Sequence, residues 1–277
     1  MPELITSRKN EIIKHAAHLC SAAEYRREQG LFVAEGARLC GDAVQSGVTV
    51  KCLFFTEQAE KKYANYLSFI KKKAERSYQV EPHVAELLSE TKTPQGIFCI
   101  CEMRKDGQNI EKLDSGCHYL ALENIQDPAN LGAVLRTAEA LGIGGVILAG
   151  SCCDVYSPKV LRASMGAVYR IPFYLIESMG RAAELLNAKG FVTLAAVPDD
   201  RATKITELGF DHSTVIVVGN EGNGLTQEAM EACTYRVTIP MLGRAESLNA
   251  SASAAILMWE MMRTKSGLKS GERTNGT

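Results

Sequence analysis

Apolar runs alternating with helical stretches predict an α/β fold, a parallel-sheet domain in the C-terminal half behind a smaller N-terminal α/β unit. Three observations carry that reading. Runs at 119–123, 145–148, 191–197, 215–218 and 237–240 recur with helical segments between them, the signature of a parallel sheet covered on both faces. Polar, glycine-bearing loops follow three of these alternations, at 127–132, 219–224 and 241–249. The first third shows a shorter, mixed pattern that ends in the charged turn-forming stretch Arg104-Lys-Asp-Gly-Gln-Asn.

Taken in order, a first helix is predicted over 9–19, burying Ile12, Ile13, Ala16 and Leu19. The apolar run 31–34 precedes a second helix beginning near Gly36. Strands follow at 51–55 and 96–101, rich in aromatic and β-branched residues, with a charged helix around 60–75 between them. The expected domains are 1–103 and 117–265, with a linker over 104–116 and a loose polar tail over 266–277. In the second domain, Ser157-Pro158 reads as an N-cap followed by an N1 proline, and Gly190 as a helix-ending glycine. The last helix is expected over 248–263.

Composition narrows the function. At 277 residues the chain can hold two cores, and a net charge of −1 excludes nucleic-acid binding by bulk electrostatics alone. Local patches would have to serve: Arg26-Arg27, Lys71-Lys72-Lys73, or Lys159 with Arg162, each by itself read as a solvated face. The nine cysteines form no C-x-x-C pair and no zinc-spaced cluster, so no metal is expected. No secretory core or membrane-length run is present, which points to a reducing, cytoplasmic setting without a membrane partner.

The chemistry sits in the three loops. In Asp127-Pro-Ala-Asn-Leu-Gly-Ala-Val-Leu-Arg136, the stripe Leu131, Val134, Leu135, Ala138 and Leu141 should face the core. Arg136 is then turned away on the side of Gly132, where a ligand can approach backbone. Structural readings stay open: Asn130 as an N-cap, Arg136 as a surface partner of Glu139. Gly219-Asn-Glu-Gly-Asn-Gly224 exposes backbone N–H groups but lacks the Gly-Lys-Ser/Thr ending of a phosphate loop. Glu221 there could be a helix-start acid, with a helix beginning near Thr226. Gly142-Ile-Gly-Gly145 leads into a strand, the wrong order for a dinucleotide fingerprint. In Arg244-Ala-Glu-Ser-Leu-Asn-Ala-Ser251, Ser247 could cap a helix whose small residues permit close packing.

Together, Asn130-x-Gly132-x-x-x-Arg136-Thr-Ala, Gly219-Asn-Glu-Gly-x-Gly224-Leu and Ser247-Leu-Asn249-x-Ser251 resemble the three motifs of the SpoU (TrmH) RNA ribose methyltransferases. Arg162-Ala-Ser-Met-Gly166-Ala looks like that family's linking segment. Asn10, Lys14, Phe32, Glu35-Gly36 and Thr93-Pro-Gln-Gly96 are similar to its RNA-binding substrate domain. The resemblance implies a SPOUT domain with a deep trefoil knot, a homodimer, and S-adenosylmethionine-dependent methylation of a ribose 2′-hydroxyl, on ribosomal RNA ahead of tRNA. It implies a catalytic set of Asn130, Arg136, Glu221, Ser247 and Asn249. It implies cofactor contacts from Ala195, Ala196, Gly219, Asn220, Glu221, Gly224, Ile239, Ser247, Leu248 and Asn249. The family is described with the motif-one arginine as base; a charged Arg136 that holds phosphate and stabilises a developing alkoxide is the electrostatically easier role, and both readings stay open. The rival class is a non-catalytic RNA-binding or ribosome-assembly factor of the same fold.

Overall fold

The computed structural model describes residues 2–91, 93–104 and 109–263, so the expected tail over 266–277 and residues 105–108 of the expected linker lie outside the described residues. The chain divides into two units, one gathering 1–106 with 154–170, the other 107–153 with 171–277.

The first unit opens with β1 (Glu3–Ile5), α1 (Glu11–Ser21), α2 (Ala23–Gln29), β2 (Leu31–Glu35) and α3 (Ala37–Gln45). It continues with β3 (Val50–Phe55), α4 (Glu57–Lys62), α5 (Ala64–Lys73), β4 (Arg76–Val80), α6 (Pro82–Ala85) and β5 (Ile97–Glu102). The sheet order is β1-β4-β3-β5-β2, with β5 antiparallel to both its neighbours and the other pairs parallel. Asn10 caps α1 by accepting from Ile12 N at 2.9 Å, and Ile13, Ala16 and Leu19 are buried with Phe54, Phe98 and Ile100. The single charged helix expected over 60–75 is two helices, interrupted where Tyr63 takes φ −119°.

Two charged features depart from a solvated face. Arg26 is 3% exposed, and its guanidinium donates to Asp154 Oδ2 (2.7 Å) and to the carbonyls of Leu19 (2.6 Å) and Cys20 (3.1 Å). Lys71 pairs with Glu60 and lies 3.9 Å from the centre of the Phe55 ring. A buried guanidinium is tolerated only when charge and donors are both answered, as they are for Arg26.

The second unit holds β6 (Tyr119–Glu123), α7 (Pro128–Leu141) and β7 (Val146–Ala149). Residues 154–170, including α8 (Pro158–Ser164), then belong to the first unit, where Tyr156 stacks on Phe32 at 4.6 Å. Ser157 does cap α8 through Val160 N, with Pro158 at N1, and Arg162 pairs with Glu35 and Glu90. The second unit resumes with β8 (Phe173–Ile176), α9 (Met179–Ala188), β9 (Val192–Ala196), β10 (Thr203–Lys204) and β11 (Thr214–Val218), then α10 (Gln227–Ala232), β12 (Tyr235–Thr238) and α11 (Ala250–Arg263). Gly190 ends α9 at φ 86°, as expected.

All seven strands are parallel, in the order β10-β12-β9-β11-β6-β7-β8. Tyr119, Ala121, Val215 and Val217 share a core with Met179, Ala183 and Leu186 of α9 and Ala229 of α10. Their alternates Leu120, Leu122 and Ile216 are equally buried, so the other face is covered too. There α11 packs on β11 and against α7, whose Leu131, Val134, Leu135 and Ala138 are buried and Leu141 half-buried. Among the described residues no helix is long and apolar enough to cross a membrane.

Candidate functional site

The loops carrying the chemistry follow the C-terminal ends of parallel strands, where α/β sheets present their ligand-binding edge. The helix of the first loop begins earlier than expected. Asp127, not Asn130, is its N-cap, accepting from Ala129 N at 2.8 Å, and Pro128 occupies N1. Asn130 therefore sits inside the first turn, 6% exposed, with its side chain free for tertiary work.

That amide joins all three loops. Asn130 Nδ2 donates to Glu221 Oε1 at 2.8 Å, and Asn130 Oδ1 accepts from Asn249 Nδ2 at 3.0 Å. Asn249 in turn uses Oδ1 to accept from Ser251 N (2.9 Å), Ser251 Oγ (2.6 Å) and Ala252 N (3.3 Å). Asn249 thus caps α11, displacing the reading of Ser247 as the cap. Glu221 lies well before Thr226, the N-cap of α10, so it is not a helix-start acid. Partial burial works against its charge, but the hydrogen bond from Asn130 and those from backbone amides of 221, 126 and 127 outweigh it and hold the carboxyl below its usual value.

The glycine loop is closed on itself. Asn220 and Gly224 exchange backbone hydrogen bonds at 3.0 and 2.9 Å, and Gly224 takes φ +68°. A Cβ at Gly219 would lie 2.2 Å from the Gly224 carbonyl carbon, a gap only glycine permits. Asn220 Oδ1 accepts from the N–H of Gly222 (2.8 Å) and Asn223 (3.0 Å), while Asn220 Nδ2 donates to the Asn124 carbonyl (2.8 Å). At the loop's exit, the N–H and Oγ1 of Thr226 both donate to the carboxylate of Glu123, each at 2.8 Å.

Beside this network lies a cleft of about 570 Å³. Of the expected cofactor residues, Ala196, Gly219, Asn220, Glu221, Gly224, Ile239, Ser247 and Leu248 line it. Ala195 does not line it and is fully buried in β9; Asn249 also stands outside the lining, turned to Asn130. Arg136 is exposed on α7, outside the cleft lining, and makes no ion pair with Glu139 or any other described residue. The sequence reading missed Val197, Pro198, Asp199, Met241, Glu246 and Leu257 on the cleft wall. The signal available for 197–199 was their place just past the apolar run of β9. Glu123 was missed too, its only mark being a carboxylate at the end of an apolar strand. Among the described residues no group of three His, Cys, Asp or Glu side chains could hold a metal ion.

The chain resembles known proteins over nearly its whole length. Residues 118–259 match the model of the SpoU rRNA Methylase family, and residues 10–99 that of the MRM3-like substrate binding domain. An uncharacterized tRNA/rRNA methyltransferase of Synechocystis sp. is 30% identical, covering 94% of this chain and 93% of that protein. The 23S rRNA (guanosine(2553)-2′-O)-methyltransferase of Bacillus subtilis is 28% identical over 93% of this chain and 98% of its own length. The AdoMet-bound rRNA methyltransferase of Sinorhizobium meliloti superposes with a TM-score of 0.82 at 28% identity, covering 95% of this chain and 98% of that one.

Proposed function

The chain belongs to the SpoU rRNA Methylase family, and from that premise we propose that it transfers the methyl group of S-adenosylmethionine to a ribose 2′-hydroxyl of ribosomal RNA. The observation that carries the reading is the Glu221–Asn130–Asn249 chain of hydrogen bonds, which locks three motif loops together at one cleft.

The cleft suits the cofactor. Its size falls within the range of small-molecule sites, roughly 300–1,000 Å³, and its wall combines apolar Val197, Val218 and Leu257 with the carboxylates of Asp199 and Glu246. Apolar walls favour an adenine ring, carboxylates accept from ribose hydroxyls, and the closed glycine loop brings backbone close. Bound there, the cofactor supplies an already activated methyl on a sulfonium. The residues of the chain then have to orient the attacking hydroxyl and answer the charge that grows on it. A guanidinium keeps its proton in proteins, so the role assigned to Arg136 is to hold a backbone phosphate and stabilise the developing alkoxide. Asn130, Glu221 and Asn249 position the loops, and Ser247, on the cleft wall, orients substrate and cofactor.

Further parts belong to the same reading. Ile256 and Trp259 of α11 are 41% and 49% exposed on one helical face, which supports a homodimer built on that face. The strand order, with β12 beside β9 and α11 returning to β11 and α7, is compatible with the trefoil knot expected of a SPOUT domain. The first unit would hold RNA, in keeping with the substrate-binding model it matches. Nine cysteines, none in a disulfide among the described residues, accord with a cytoplasmic setting.

The test is methyl transfer from radiolabelled S-adenosylmethionine to rRNA and, separately, tRNA purified from cells lacking the protein. Label on a 2′-oxygen of rRNA is expected. Label confined to tRNA would shift the substrate, a possibility the name of the Synechocystis relative keeps open. Label in neither would refute the reading.

A further inference from the structure

We propose that Glu123 is a positioning residue of the methyl-transfer site, holding the glycine loop so that Glu221 meets Asn130; the inference rests on the function proposed above. Glu123 ends β6, is 4% exposed, and forms no ion pair with a cation among the described residues. Burying a carboxylate without a counter-charge is costly unless its oxygens are hydrogen-bonded. Both are. Oε2 accepts the Thr226 N–H and Oε1 accepts the Thr226 hydroxyl, each at 2.8 Å. The same hydroxyl oxygen then accepts from Ala229 N at 3.2 Å, so the carboxylate sets the start of α10 as well.

The neighbouring residue completes the clamp. Asn124, at φ 56°, turns its carbonyl to the Asn220 side-chain amide at 2.8 Å. The loop is thereby pinned near its entry by residue 124 and at its exit by residue 123. Between those pins lie the Asn220–Gly224 backbone pair and Glu221, which reaches Asn130. Glutamine replaces the carboxylate poorly: its carbonyl takes the Thr226 N–H without the charge, and its amide nitrogen faces the hydroxyl, which must turn its own hydrogen away. The buried acid therefore serves the loop's geometry, and through it the distance from Glu221 to Asn130.

The test uses the full chain carrying Glu123→Gln or Thr226→Val, with Thr226→Ser as the conservative control. Amide hydrogen exchange at Asn220 and Gly224 reads the loop whether or not any RNA is methylated. The expected result is exchange faster by about tenfold or more at those amides in Glu123→Gln and Thr226→Val, with β6 and β11 still protected and Thr226→Ser unchanged. In methyl transfer to rRNA, kcat should fall about 10- to 100-fold, the cost of a misplacement near 1 Å. Adding Glu123→Gln to Glu221→Gln should cost little further, because the two act as one unit. Exchange unchanged in both variants would overturn the proposal. So would exchange raised equally across the whole sheet, or activity losses that add in full. Failure of the unaltered protein to methylate RNA would refute the proposed function, while the exchange data would still decide whether Glu123 holds the loop.

Discussion

Asn130 uses both ends of its side-chain amide on neighbouring loops, giving a hydrogen to Glu221 and taking one from Asn249. Asn130→Ala should lower kcat about 10- to 100-fold while leaving the cofactor dissociation constant within about threefold, since the residue does not line the cleft. Single-turnover kinetics beside calorimetric titration with S-adenosylhomocysteine would check the split. Arg136→Lys keeps the charge but loses the planar fork, and about a 100-fold loss of kcat is expected if Arg136 grips phosphate. Glu221 gives the pH prediction. Its folded-state value is lowered, so the stability it contributes is complete above the ordinary carboxylate range and disappears as pH falls through that lowered value. Thermal midpoints of the unaltered chain and of Glu221→Gln should therefore differ near neutrality and converge in acid. Midpoints that diverge as the pH falls would reverse the assignment.

At the scale of elements, glycine makes the second loop possible. Gly219→Ala would drive a Cβ into the Gly224 backbone, so the loop must open and the cleft lose a wall. S-adenosylhomocysteine should then no longer raise the melting temperature. Gly209→Ala, where a Cβ meets only Asp211 at 3.4 Å, should retain the full rise. Legibility in the sequence followed the same physics. Strands buried on both faces, such as β6 and β11, announce themselves as continuous apolar runs. β1 and β10 are too short to show a period, β4 is the half-polar run Arg-Ser-Tyr-Gln-Val, and β8 is a partly exposed edge strand. The motif residues were legible through their resemblance to a family, whereas Glu123, closing an apolar run, carried no motif signal. The cap of α7 could have been found: Asp127-Pro128 repeats the cap-then-proline logic that identified Ser157-Pro158.

Over the whole molecule, the division of the chain is not contiguous in sequence. Residues 154–170 fold with the first unit, and Asp154 meets Arg26 across 128 positions of sequence. No composition shift marks that return, so sequence periodicity alone could not reveal it. Arg26→Ala would leave Asp154 without its partner in a poorly solvated place. A destabilisation of about 3–5 kcal/mol is expected in denaturant unfolding, the usual cost of removing one member of a buried pair. On α11, the proposed dimer face predicts that the unaltered chain sediments as a dimer and Trp259→Glu as a monomer, with the helical circular-dichroism signal preserved. Site-resolved mapping of methyl groups on rRNA, treated with this protein and S-adenosylmethionine, tests the central claim most directly. The account predicts a 2′-O-methyl at a defined ribose, formed at least about tenfold more slowly when Asn130 or Arg136 is replaced by alanine. Methyl groups on base atoms, or none on RNA at all, would contradict it.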